Sequence, residues 1–197
     1  MPDADVLVHA GDITSNGEMS TIKDFADWMS GLPYKHKLCV AGNRDWNFSN
    51  HNKIESLELF EKAGITYLQD SSVIIDDLKF YGNPHTPFFY AWAFNLQRGK
   101  DIAMEWAKIP SDVSVLISHG PPFGILDEVP RGFGQFENAG CKDLLDRITQ
   151  LKNLKFSCHG HLHESRGTLT KNGIQFVNAS ICNGRYEPIN EPILIEI

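Results

Sequence analysis

Short apolar runs alternate with polar, glycine-punctuated breaks through the first third of the chain. DVLVH (residues 5–9) and KLCVA (37–41) read as buried strands, each running into glycine and a polar residue. Between them, Met19, Ile22, Phe25, Ala26 and Met29 recur at helical spacing over residues 18–31. Residues 53–63 repeat that spacing, with Ile54, Leu57, Leu59 and Phe60 inward and Gly64 as the expected C-terminal cap. Strand–helix–strand–helix is the order of parallel crossover units.

The pattern then changes. ITYLQD, SVIIDD and LKFYG are strand runs with tight connections, which predicts an antiparallel meander over residues 65–82. A proline- and aromatic-rich loop, NPHTPFFYAWAFNLQRG, precedes a short helix near 100–107. VSVLIS (113–118) is again a buried strand and ends at His119-Gly120-Pro121-Pro122. A helix over 141–151 leads into LKFSCHGHLH, followed by strands near 165–170, 173–177 and 192–197. No repeat, linker or low-complexity segment interrupts this order. The expectation is a single α/β domain over 1–197, with two mixed sheets packed face to face and helices outside.

Composition narrows the function. Hydrophobic residues make up 42% and charged residues 22%, an ordinary globular balance. The formal charge is −7 and no Lys/Arg run stands out, so no nucleic-acid groove is expected. An anionic substrate then needs a local positive charge, such as a bound metal. MPDADVLVHAGD lacks the basic start and long apolar core of a signal peptide, and no apolar run reaches membrane-spanning length. Cys39, Cys141, Cys158 and Cys182 are scattered, without C-x-x-C spacing, as reduced thiols in a cytoplasmic protein would be.

Four polar clusters each follow a predicted buried strand: Gly11-Asp12, Gly42-Asn43-Arg44-Asp45, His119-Gly120-Pro121-Pro122 and Gly160-His161-Leu162-His163. Ligands bind beyond the strand ends of open α/β sheets. Carboxylate and amide oxygens with imidazole nitrogens suit divalent Mn, Zn or Fe. Glycine beside each ligand lets the chain turn sharply there. Asp12 could otherwise be a turn former and Asn43 a turn residue, but the joint occurrence favours ligation. His159 reads as structural, and the Cys39 and Cys158 thiols as packing groups. The segment from His85 to Phe94 reads either as a packed lid or as a stacking wall for substrate. Arg98, Arg131 and His85 are further candidate substrate contacts.

Together the blocks resemble the GD, GNH[ED], [ST]HGP and GHxH motifs of the calcineurin-like metallophosphoesterases. LVHAGDIT, DWMSGLPYKHKLCVAGN, FNLQRG, SHGPPFG and FVNASIC are similar to the branch of metallophosphoesterase domain-containing proteins. The resemblance implies a four-layer α/β/β/α sandwich in which Asp12 bridges two divalent metals. It implies that Asn43, His119 and His161 complete one site and that His163 serves the other. It also implies that a metal-bound hydroxide attacks phosphorus, with Asp12, Asn43 and Arg44 in catalytic positions. Substrate contacts would then fall to Arg44, Asn43 and His85. Class III phosphodiesterase-like action on small phosphodiesters, cyclic nucleotides among them, is the implied activity.

The chain departs from the family pattern twice. Nothing before Asp12 offers the D-x-H of the family's first strand, so that strand is expected to be missing. The second metal site would then keep only Asp12 and His163, and a third reading is that the native chain starts upstream. His9 lies roughly 10 Å along a strand from Asp12, a span that suits a core or sheet-face residue better than a co-ligand. Arg44 stands where the family has the histidine of GNH[ED]. Arginine binds phosphate in a bidentate manner but cannot donate a proton near neutral pH. Either activity is weakened or altered, or the chain is a nucleotide-binding or scaffold module, as the retromer subunit of this superfamily is. A missing first strand would also leave Val6 and Val8 beside an unpaired edge, a route to homo-oligomers.

Overall fold

The computed structural model describes residues 1–197. Its first half opens with β1 (Val6–His9), α1 (Met19–Ser30), β2 (His36–Cys39), α2 (Lys53–Lys62) and β3 (Ile65–Tyr67). These crossover units make a three-stranded sheet in the order β1-β2-β3, parallel throughout. The helical spacing read in the sequence is the buried stripe of α1, where Ile22, Ala26 and Met29 face inward. After α2, the Gly64 amide donates to Glu61 O at 3.0 Å, and Gly64 takes the left-handed φ of +69°.

The second sheet takes β4 (Ser71–Ile75), β5 (Leu78–Asn83), β8 (Val115–Ser118) and β11 (Phe156–His159), with β12 (Gly167–Lys171) and β13 (Ile174–Asn178). Its order is β12-β13-β11-β8-β5-β4, with four parallel strands inside and an antiparallel neighbour at each edge. The remaining elements are β6 (Thr86–Pro87), β7 (Asn95–Leu96), α3 (Lys100–Trp106), β9 (Glu128–Gly132), β10 (Gln135–Asn138) and α4 (Lys142–Ile148).

Period-two alternation places the layers. Leu38 and Val40 point into a core shared with Phe80, Val115, Ile117, Phe156 and Val177, and this apolar layer joins the two sheets. Cys39 and Ala41 point the other way, into the core beneath α1 and α2 with Ile22, Phe48 and Phe60. Tyr81, Leu116 and Phe176 face outward from the large sheet, against Ile102 and Trp106 of α3 and Leu144 and Ile148 of α4. The result is helices, sheet, sheet, helices, as the resemblance implied.

Three expectations change. The meander over 65–82 is split: β3 pairs parallel to β2, and only β4 and β5 form a hairpin. Leu68 marks the crossing, because its amide donates to Cys39 O while its side chain joins the core between the sheets. The small sheet is accordingly parallel, and only the large one is mixed. Residues 192–197 form no strand; Ile193 and Ile195, like Val6 and Val8, pack against the core between the sheets, without a ladder. The β9–β10 hairpin was not expected, since its residues are mostly exposed and carry no alternation to read. β1 pairs with β2 alone and is an edge strand. No helix is long and apolar enough to cross a membrane, and all four cysteines are free.

Candidate metal centre

The loops following β1, β2, β8 and β11 bring their polar residues to one place. Two backbones there are forced into the left-handed region, Asp12 at φ +57° and His161 at φ +65°. Non-glycine residues hold such angles only where their surroundings determine them, a common feature of ligand sites. Gly42 permits the loops to close: a Cβ there would lie 2.3 Å from Asp12 Oδ1 and 2.6 Å from His119 Cε1. Gly42→Ala is therefore expected to displace both groups and lower bound metal at least about ten-fold. Elemental analysis of the purified variant checks this, and wild-type metal content would contradict it.

The centre is organised around His119, which is buried. Its Nδ1 donates to Ala10 O at 2.7 Å, which leaves Nε2 facing Asn43 Oδ1 at 2.9 Å and Asp12 Oδ1 at 3.4 Å. With neutral imidazole, three electron-rich atoms converge with no hydrogen between them, an arrangement that a cation among them would satisfy. A proton answers that need in part. Burial opposes charge on His119, but the charge and hydrogen bond of the Asp12 carboxylate, the Ala10 carbonyl and the nearby Asp45 together raise its pKa. Burial likewise works against the Asp12 carboxylate. The His119 charge and hydrogen bond, with the Arg44 amide at 2.9 Å, still hold it well below the usual range. His161 is pushed down to about 3 by burial and by the neighbouring His119, so it presents a neutral, metal-ready imidazole.

Asp12, His119 and His161 each offer one ligand atom, all within 4.8 Å of one another, and Asn43 Oδ1 adjoins them. Oxygen and imidazole donors in this arrangement fit a divalent ion of the Mn, Zn or Fe kind. His163 lines the same cavity but stands outside that tight group, its ring edge-on to Tyr186 at 4.9 Å. Asp45 is a supporting residue that patterning did not single out; its only signal was its place in the Gly42–Asp45 block. Its buried carboxylate accepts from the Gly42 amide at 2.8 Å, the Thr14 amide at 2.8 Å and the Ile13 amide at 3.1 Å. Those bonds tie the loop after β1 to the loop after β2. Burial and the nearby Asp12 push Asp45 up to about 6.

A cavity of about 490 Å³ opens beside the centre, with Asp12, Asn43, Arg44, His161 and His163 in its wall. Phe88, Phe89, Tyr90, Trp92 and Tyr186 supply the aromatic part of the lining. Arg98 and Arg131 also line it, but both are engaged: Arg98 donates to Gly140 O and Ala139 O at 2.8 Å, and Arg131 pairs with Glu137. Arg44 has no carboxylate partner.

His85 is a correction. It does not line the cavity. Its backbone amide donates to Asn83 Oδ1 at 2.8 Å, which turns the ring towards Asp70 and Glu105. These three form a second group of potential ligands within 4.8 Å of one another. Lys108 already compensates that group, 2.5 Å from Glu105 and 3.5 Å from Asp70. His9 is also outside the centre: its Nδ1 accepts the Gly11 amide at 3.3 Å and its ring packs edge-on to Phe25.

His159 is fully buried on β11. Burial pushes its pKa down to about 3. Below the unfolded value of about 6.5, the unfolded chain binds a proton that the folded chain refuses. The stability present above that pH is therefore lost as pH falls towards 3. His159→Leu is expected to remove this loss, gaining about 2 kcal/mol on the wild type between pH 7.5 and pH 5. Urea denaturation at both pH values reads the difference, and an unchanged gap would contradict it.

Comparison with known proteins agrees with the geometry. The family described as Calcineurin-like phosphoesterase matches residues 1–165. Human metallophosphoesterase domain-containing protein 1 is 36% identical over 221 residues, covering 100% of this chain and 66% of the relative. UPF0046 protein K07C11.7 of Caenorhabditis elegans is 36% identical over 208 residues, covering 100% of this chain and 69% of its own length. The chain thus spans about two thirds of the length of these relatives. Among solved structures, TT1561 of Thermus thermophilus superposes with a TM-score of 0.57 at 11% identity, covering 90% of this chain and 77% of that one, a likeness of fold alone. The chain belongs to the calcineurin-like phosphoesterase family.

Proposed function

We propose that this chain hydrolyses small phosphodiesters, cyclic-nucleotide-like substrates among them, with a leaving-group dependence set by Arg44. The observation that carries this is the convergence of the Asp12 carboxylate, Asn43 Oδ1 and His119 Nε2 on one point, with His161 beside them. A divalent ion held there, manganese being the first to try, would neutralise phosphate oxygens and activate water. Asp12, Asn43, His119 and His161 would hold it, and Ala10 O fixes the ring orientation of His119. Arg44 stands beside them with a guanidinium that no carboxylate pairs, and its planar fork suits two phosphate oxygens. Arginine as a residue type binds phosphate without serving as an acid to the leaving oxygen. Good leaving groups need no acid and would be turned over best.

The test is Mn²⁺-dependent hydrolysis of aryl phosphodiesters spanning a range of leaving-group pKa. Steep loss of rate as the leaving group worsens supports the proposal, and a flat profile argues against it. The second reading, a nucleotide-binding or scaffold module, is favoured by Arg44 in place of an acid. Phosphate binding without turnover of even the best leaving group would select that reading. We also propose a cytoplasmic setting, which four free thiols support. The open edge of β1 would be the surface for homo-oligomers, and sedimentation velocity reads that state.

A further inference from the structure

We infer that Tyr186 and Trp92 are positioning residues that hold the Arg44 guanidinium at the mouth of the metal centre. This rests on Arg44 being the phosphate binder proposed above. The Arg44 backbone is anchored, since its amide donates to Asp12 Oδ1 at 2.9 Å. Its side chain is not anchored in the same way. The one hydrogen bond it makes, Nη1 to Ser15 O, is long at 3.4 Å. What surrounds the guanidinium instead is aromatic: its central carbon lies 5.0 Å from the Trp92 ring centroid and 5.7 Å from that of Tyr186. Cation–π contact holds the charge without an acceptor oxygen, so the N–H groups are not consumed by these two neighbours and stay available for the fork that phosphate requires. A carboxylate partner would occupy that fork; aromatic neighbours do not.

Tyr186 is held in place by a turn that closes on itself. Asn183 Oδ1 accepts the amides of Arg185 at 2.9 Å and Glu187 at 3.1 Å. Asn183 Nδ2 donates to Glu187 Oε2 at 2.7 Å, and the Tyr186 amide donates to Asn183 O at 2.9 Å. Within this turn Tyr186 takes a φ of +63°, which a tyrosine adopts only when its surroundings impose it. Although 66% exposed, the ring is aimed at Arg44 and at the edge of His163. With Arg98 and Arg131 tied to protein partners, Arg44 is the cavity-lining arginine free to take an anion.

The experiment measures inorganic phosphate as a competitive inhibitor of the Mn²⁺-loaded protein, with metal content determined in parallel. Tyr186→Ala is expected to weaken phosphate about two- to five-fold, the worth of an exposed cation–π pair, at unchanged metal content. Tyr186→Phe, which keeps the ring, is expected to match the wild type. In an Arg44→Ala background, Tyr186→Ala should add nothing. Wild-type phosphate affinity in Tyr186→Ala, or additive losses with Arg44→Ala, would overturn the inference. A parallel fall in metal content would also overturn it, because Tyr186 would then act through His163. If Arg44→Ala itself leaves phosphate binding intact, the phosphate-binding role of Arg44 fails, and the inference with it.

Discussion

Arg44→His raises the hydrolysis of phosphodiesters with poor leaving groups by about 10²–10⁴-fold, the range that general-acid help supplies. The Arg44 amide is fixed to Asp12 Oδ1, so a new side chain at this position projects into the same cavity. An arginine there never releases its proton in the working range, whereas a histidine titrates close to neutrality. The gain must fall off as the leaving group improves, because departing oxygens of low pKa need no proton. The substitution also removes the guanidinium, so phosphate affinity is expected to drop while turnover rises. Rates for a leaving-group series with wild type and variant decide the matter. An equal change for every leaving group would mean that Arg44 does not occupy the acid's position.

Asp12→Asn is the second large effect: metal-dependent turnover is expected to fall on the order of 10³-fold, through loss of bound ion. Asparagine keeps the shape and can still accept the Arg44 amide, so the loops should remain closed. What disappears is the charge that sustains His119 and draws a cation between the two side chains. Without it, the buried His119 ring loses its main reason to attract positive charge. Elemental analysis and thermal melting, taken together, separate metal loss from unfolding. A variant that melts like wild type, binds no metal and does not turn over is the expected result. Full turnover by a folded Asp12→Asn would contradict a metal-ligand role for Asp12.

How far the sequence led is clearest residue by residue. The unbroken apolar runs at Leu38–Ala41 and Val115–Ile117 read as buried strands, and the structure sends alternate residues into different cores. The tips after those strands were readable because packing alone seldom places a polar, ligand-type side chain beside glycine at the end of a buried strand. Asp12, Asn43, His119 and His161 do come together. Contacts with no sequence period were not readable. Trp92 and Tyr186 reach Arg44 from two distant loops, and Asp45 joins two loops through backbone amides that every residue but proline possesses. His85 misled because a histidine between prolines and aromatics suggests a substrate wall, whereas the Asn83 side chain turns it towards Asp70 and Glu105. The departure of β3 from the expected meander depended on Leu68, whose apolarity alone cannot say which sheet it serves.

The most direct test of the metal centre pairs metal content per chain with hydrolysis of bis(p-nitrophenyl) phosphate, in wild type and Asn43→Ala. Asn43 is the residue to change because its side-chain oxygen lies 2.9 Å from His119 Nε2, at the point where the cation is needed. The expected result is at least about one divalent ion per wild-type chain, hydrolysis that stops on chelation and returns with Mn²⁺, and loss of both in Asn43→Ala. A wild-type protein that binds neither Mn²⁺ nor Zn²⁺, or hydrolysis unaffected by Asn43→Ala, would contradict it.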